Sequence, residues 1–123
     1  MRAFLAALIL CACVVATHAG DRASCYGPES GTRTASGERF NWHAMTAAHR
    51  TLPFGTLARV TYQGRSVVVR ITDRGPFVKG RTIDLSLGAC QRIGLVAVGV
   101  GPVEIEIVDK ASLYIPKHGD WDF

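Results

Sequence analysis

The sequence predicts a small, mainly β domain that closes into a barrel. Three features of the 123 residues carry this expectation: short apolar stretches that alternate with polar residues, 13 glycines and 5 prolines that punctuate them, and one short segment of helical periodicity. There is no internal repeat, and 48% hydrophobic with 20% charged residues describes one globular core, not a disordered chain. A chain this short buries limited surface. Closing the sheet would remove exposed strand edges, and a covalent staple would add stability that a small core lacks.

The elements follow in chain order. Residues 1–19 read as a secretory signal, because Arg2 precedes an apolar run that ends at the small-residue site Thr17-His18-Ala19. The run from Ala3 to Ala16 is short against the roughly 20 residues of a membrane-spanning helix, so the mature chain is expected to have no transmembrane segment. Leu10-Cys11-Ala12-Cys13 supports a competing reading, lipid attachment through Cys13. Residues 20–109 are the expected barrel domain. Ala23 to Gly27 opens it as a strand, and Glu29 to Thr32 continues as a polar loop. Residues 34–56 are rich in turn signals, with one helical turn expected around His43 to Ala48. Leu57 to Tyr62 and Ser66 to Thr72 read as a hairpin about Gln63-Gly64. Ile83 to Ser86 is a short strand, leading to a helix with Leu87, Cys90 and Ile93 at helical spacing. Val103, Ile105 and Ile107 then alternate with Glu104 and Glu106, a strand with one face on the core. Residues 110–123 lack periodicity and read as a C-terminal tail.

Cleavage after Ala19 would leave Cys25 and Cys90 as the remaining cysteines, and an even pair in an exported chain suggests a disulfide. Closing a loop of about 65 residues would restrict the unfolded chain by roughly 4 kcal/mol. Two buried free thiols are the alternative; catalytic thiolate chemistry has no Cys-His motif to support it. The formal charge of +4 falls to about +3 without Arg2, and mild basicity suits an anionic envelope polymer. Lys and Arg do not cluster with stacking aromatics, so nucleic acid is not an expected partner. No metal is expected either: His43 and His49 are six apart, and no His-Glu-x-x-His stands in the chain. A monomer without cofactors is the expectation.

The candidate chemistry lies in the polar segments that frame the strands. Asp73 ends the apolar run of Val67 to Thr72. Shielding from water would raise its pKa toward that of a general acid, whereas capping the Asp-Arg-Gly-Pro turn through backbone N–H bonds would lower it; the residues alone leave both readings open. Glu38 in TASGERF reads most simply as a solvated loop acid, and His49 in AAHRTLP as a structural partner. Asp84 in TIDLS reads as an anchor for backbone amides or Arg74.

Five ordered motifs then carry a resemblance: SCYG, TASGERF, TAAHRTLPFGT, VVVRITDRGPF and IDLS, from about Ala23 to Val108, resemble the rare lipoprotein A (RlpA) family of bacterial envelope proteins. The resemblance implies a six-stranded double-psi β-barrel with one or two short helices. It also implies a lytic transglycosylase of peptidoglycan, periplasmic or at the cell envelope, acting on glycan strands poor in peptide. Carried over by motif, Asp73 becomes the catalytic acid, supported by His49 and Glu38, while Tyr26, Thr46 and Arg74 line the substrate groove. Such chemistry attacks the anomeric carbon with the sugar's own C6 hydroxyl, so one acid that later acts as base suffices in principle, and Asp84 is left a structural role. Cys25 stands where the family usually has an aromatic residue before Tyr-Gly, which strengthens the pairing with Cys90. The competing class is a non-catalytic, expansin-like module that binds wall polysaccharide, because one fold hosts both behaviours.

Overall fold

The computed structural model describes residues 20–109; the expected leader and the tail from 110 lie outside the described residues. Seven strands follow one another: β1 (Arg22–Tyr26), β2 (Thr46–His49), β3 (Leu57–Tyr62), β4 (Arg65–Asp73), β5 (Ile83–Ser86), β6 (Val100–Pro102) and β7 (Glu104–Val108). One α-helix, α1 (Leu87–Ile93), lies between β5 and β6. The strands form a single sheet in the order β6-β1-β5-β2-β4-β3-β7, with β1 parallel to β5 and β2 parallel to β4. No helix among the described residues is long and apolar enough to cross a membrane.

The sheet corrects the expected six-stranded closed barrel. It has seven strands, and its ladder stays open, with β6 pairing with β1 at one end and β7 with β3 at the other. The physical reason lies at residues 102–104. Pro102 has no N–H with which to extend a ladder. The chain leaves β6 there and enters β7 after one residue, Val103, so consecutive residues serve both edges of the curled sheet. Val103 donates its N–H to Asp21 O at 3.0 Å and buries its side chain.

Local chemistry explains most of the elements. The hairpin of β3 and β4 turns at Gln63 and Gly64, with φ of 48° and 80°, the paired positive angles of the tight turn that matches strand twist. Ser86 caps α1 by accepting the Ala89 N–H at 3.2 Å, and Gly94 ends it with φ of 78°. Along β7 the expected alternation fades: Val103 is buried and Ile105 half-buried, but Ile107 is 55% exposed, because β7 is an edge strand.

A second correction concerns residues 43–48, where a helical turn was expected. Thr46–His49 is instead β2, held between β4 and β5 at the centre of the sheet. Thr46, Ala47 and Ala48 are small and buried, and packing on both faces overrides the weak intrinsic strand preference of alanine.

One face of the sheet carries the core, built from Ala23, Ile83, Leu85, Ala47, Ile71, Val69 and Val60. Helix α1 is pinned to it by buried Ala89, Cys90 and Ile93. The expected disulfide is present: Cys25 on β1 bonds Cys90 on α1, with Cα atoms 6.1 Å apart.

Candidate active site

The register of the central strands assembles the polar face. Ala48 on β2 pairs with Asp73 on β4 and with Asp84 on β5, and Asp84 pairs with Ser24 on β1. Residues paired across neighbouring strands point to the same side of a sheet. The two aspartates and Ser24 therefore share one face, opposite Ala47, Ile71 and Leu85. Asp73 reaches it through a bulge: the register shifts between Ala47 and Ala48, and Thr72 is the extra residue on β4. Without it Asp73 would turn toward the core side.

The loop of residues 34–38 is strapped to this bulge. Ala35 donates its N–H to Asp73 Oδ1 at 2.9 Å, as does Arg74, and the Ser36 N–H bonds Thr72 O at 3.1 Å. Of the two readings of Asp73, its contacts are those of a turn anchor. Glu38 is taken up by a two-pronged bond from Arg70, at 2.7 and 2.9 Å, which holds its carboxyl below the usual range; Ser36 Oγ adds a third donor at 3.3 Å. Glu38 is thus an ionised brace.

Tyr26 closes the face from β1. Its ring stacks on Phe40 with centroids 4.9 Å apart. Its hydroxyl is buried near those of Thr46 and Thr72, yet neither Tyr26 Oη nor Thr72 Oγ1 completes a hydrogen bond among the described residues. Burial, and then the charges of Asp73 and Asp84, push the phenol up to about 12. Thr46 is itself buried on the same face, paired with Arg70.

His49 and Arg74 build the adjoining loop. Nδ1 of His49 accepts N–H bonds from Thr51 and Leu52 at 3.2 and 3.1 Å, which assigns the neutral-ring proton to Nε2. Burial lowers its pKa, and Arg50 and Arg74 lower it further. Arg74 donates to His49 O and Leu52 O at 3.1 and 2.8 Å and lies 3.9 Å over the Phe54 ring. Arg50 ties the same loop to Pro76 O and Arg81 O at 2.8 and 2.7 Å. No hydrogen bond joins His49 to Asp73 among the described residues.

Asp84 differs most from its expected place as an anchor for Arg74. It accepts the Ser24 hydroxyl at 2.9 Å. Its pKa is raised, first by burial and also by the charge of Asp73, against the opposing effects of Ser24 and Arg81. Sequence reasoning set this residue aside; the parallel pairing of β1 and β5, which sets it beside Ser24, has no local signal.

In its architecture the domain belongs with the double-psi β-barrels: the expansin of Clavibacter michiganensis superposes with a TM-score of 0.60 at 22% identity, over 72% of this chain and 49% of the expansin. That likeness concerns the fold alone. More specifically, residues 18–105 match the family described as lytic transglycolase, and the chain belongs to that family. A relative from Synechocystis sp., named a probable endolytic peptidoglycan transglycosylase RlpA, is 62% identical over 72% of this chain and 29% of its own length. One from Campylobacter jejuni, named an endolytic peptidoglycan transglycosylase RlpA, is 49% identical over 73% of this chain and 34% of its own. The chain spans about a third of the length of these relatives.

Proposed function

We propose that this domain is an endolytic lytic transglycosylase of peptidoglycan. It cleaves the β-1,4 bond between N-acetylmuramic acid and N-acetylglucosamine in peptide-poor strands and leaves 1,6-anhydro ends. The observation that carries this reading is Asp73, turned by the bulge onto the polar face and oriented through Oδ1 by two backbone N–H groups. A carboxyl fixed beside a sugar can move the proton that the reaction transfers, while the C6 hydroxyl replaces water as nucleophile. Around it, Phe77 is 80% and Phe54 42% exposed, apolar ring faces suited to stacking on saccharide rings.

The other residues act through position. Glu38 holds the loop that delivers the Ala35 N–H to Asp73, by way of Arg70 on the same strand as Asp73. His49 and Arg74 shape the loop beside the groove, and Tyr26 and Thr46 form its floor. The setting we infer is the cell envelope, after export and loss of residues 1–19, with lipid attachment at Cys13 as the competing route. The domain acts as a monomer.

Digestion of peptide-free glycan strands, read by mass spectrometry, tests the proposal. Anhydro-ended products are expected, and Asp73→Asn is expected to lower their rate by a factor on the order of 100 or more while circular dichroism stays unchanged. Strand binding without such products would instead favour a non-catalytic, expansin-like module.

A further inference from the structure

The transglycosylase reading leaves two features of the polar face unused. One is Asp84, which shares that face with Asp73 because both pair with Ala48. The other is the buried hydroxyl of Tyr26, which lies within the electrostatic reach of both aspartates and has no hydrogen-bond partner among the described residues. Thr72 Oγ1, on a residue 1% exposed, is unpartnered beside it. Buried polar groups without partners carry a cost and mark places where a ligand, a water or a transferable proton belongs.

One strand separates the backbones of the two aspartates, a distance of roughly 10 Å at the usual strand spacing. Side chains on a common face can then approach a bound sugar from two sides. Their surroundings differ. Asp73 presents Oδ1 to two backbone donors, one of them from the loop of residues 34–38. Asp84, half-buried like Asp73, accepts its described hydrogen bond from a neutral hydroxyl, that of Ser24. The charged and titratable groups that face it are Asp73 from β4, Tyr26 from β1 and Arg81 just before β5. Burial and the nearby negative charge favour its protonated form. A carboxyl whose surroundings favour its protonated form suits the post of proton donor.

We propose that Asp84 is the proton donor of the reaction and Asp73 the proton acceptor. This division rests on the transglycosylase reading. In the forward step the Asp84 carboxyl protonates the glycosidic oxygen as its bond to the anomeric carbon breaks. The C6 hydroxyl oxygen bonds to that carbon, and Asp73 takes the hydroxyl proton. The enzyme is left with its proton on Asp73; Asp73 releases it to solvent and Asp84 takes one up from solvent, so the pair is reset with no net change in protons and no water consumed.

The test uses the mature protein and peptide-free glycan strands, with anhydro ends counted across pH. Asp84→Asn keeps the Ser24 hydrogen bond through its amide oxygen; it is expected to fold, to retain strand binding, and to lose cleavage by about 100-fold or more. Ser24→Ala provides a second readout. The Ser24 hydroxyl lowers the pKa of Asp84, so its removal should move the alkaline limb of the pH–rate profile to higher pH. A folded Asp84→Asn protein that cleaves near the wild-type rate, or an alkaline limb unmoved in Ser24→Ala, would overturn the proposal while wild-type cleavage leaves the transglycosylase reading intact. A wild-type protein that forms no anhydro ends overturns both.

Discussion

At the scale of single residues, the acids and the histidine separate by what surrounds them. Glu38 is committed to Arg70, so it braces; Asp84 is half-buried and close to Asp73, and both effects raise its pKa. His49 carries a testable linkage. Its folded-state pKa is lowered, so the unfolded chain binds a proton more readily and stability falls as pH drops below the ordinary histidine value of about 6.5. Urea midpoints between pH 5 and 7 are expected to slope upward with pH, and His49→Gln is expected to flatten that slope. The motif around His49 was readable in the sequence, but its bonds to Thr51 and Leu52 were not, because they depend on how the chain turns after β2.

At the scale of elements, the hairpin of β3 and β4, strand β5 and helix α1 were legible because alternation, a Gln-Gly turn and helical spacing are local patterns. Strand β2 was not. Thr46, Ala47 and Ala48 have no period-2 signature, and their conformation is set by partners about 25 residues away on β4 and 37 away on β5. The bulge at Thr72 is equally silent in sequence, though it decides which way Asp73 faces. Gly88 joins two of these elements: its N–H bonds Trp42 O at 2.8 Å, and an added Cβ would lie 2.8 Å from His43 O and 2.9 Å from Trp42 O. Both obstacles are backbone. Gly88→Ala is therefore expected to cost about 1–3 kcal/mol in urea denaturation and to displace the loop that leads into Thr46, lowering glycan cleavage with it.

At the scale of the whole molecule, the family and the broad β architecture could be read from five ordered motifs, whereas strand number and closure could not, since both depend on pairings among distant segments. The disulfide ties β1 to α1 across 65 residues, and Cys25→Ser with Cys90→Ser is expected to lower unfolding free energy by roughly 4 kcal/mol, measured by chemical denaturation. The passage of the chain through Val103 has a different consequence. Among the described residues β6 and β7 are the outer strands of the ladder, and the buried side chain of Val103, the one residue between them, anchors both, where an edge set loose could pair with another molecule. Val103→Asp is expected to free them together. Light scattering should then report concentration-dependent self-association at temperatures where the wild-type protein stays dispersed, so a single side chain guards solubility as well as fold.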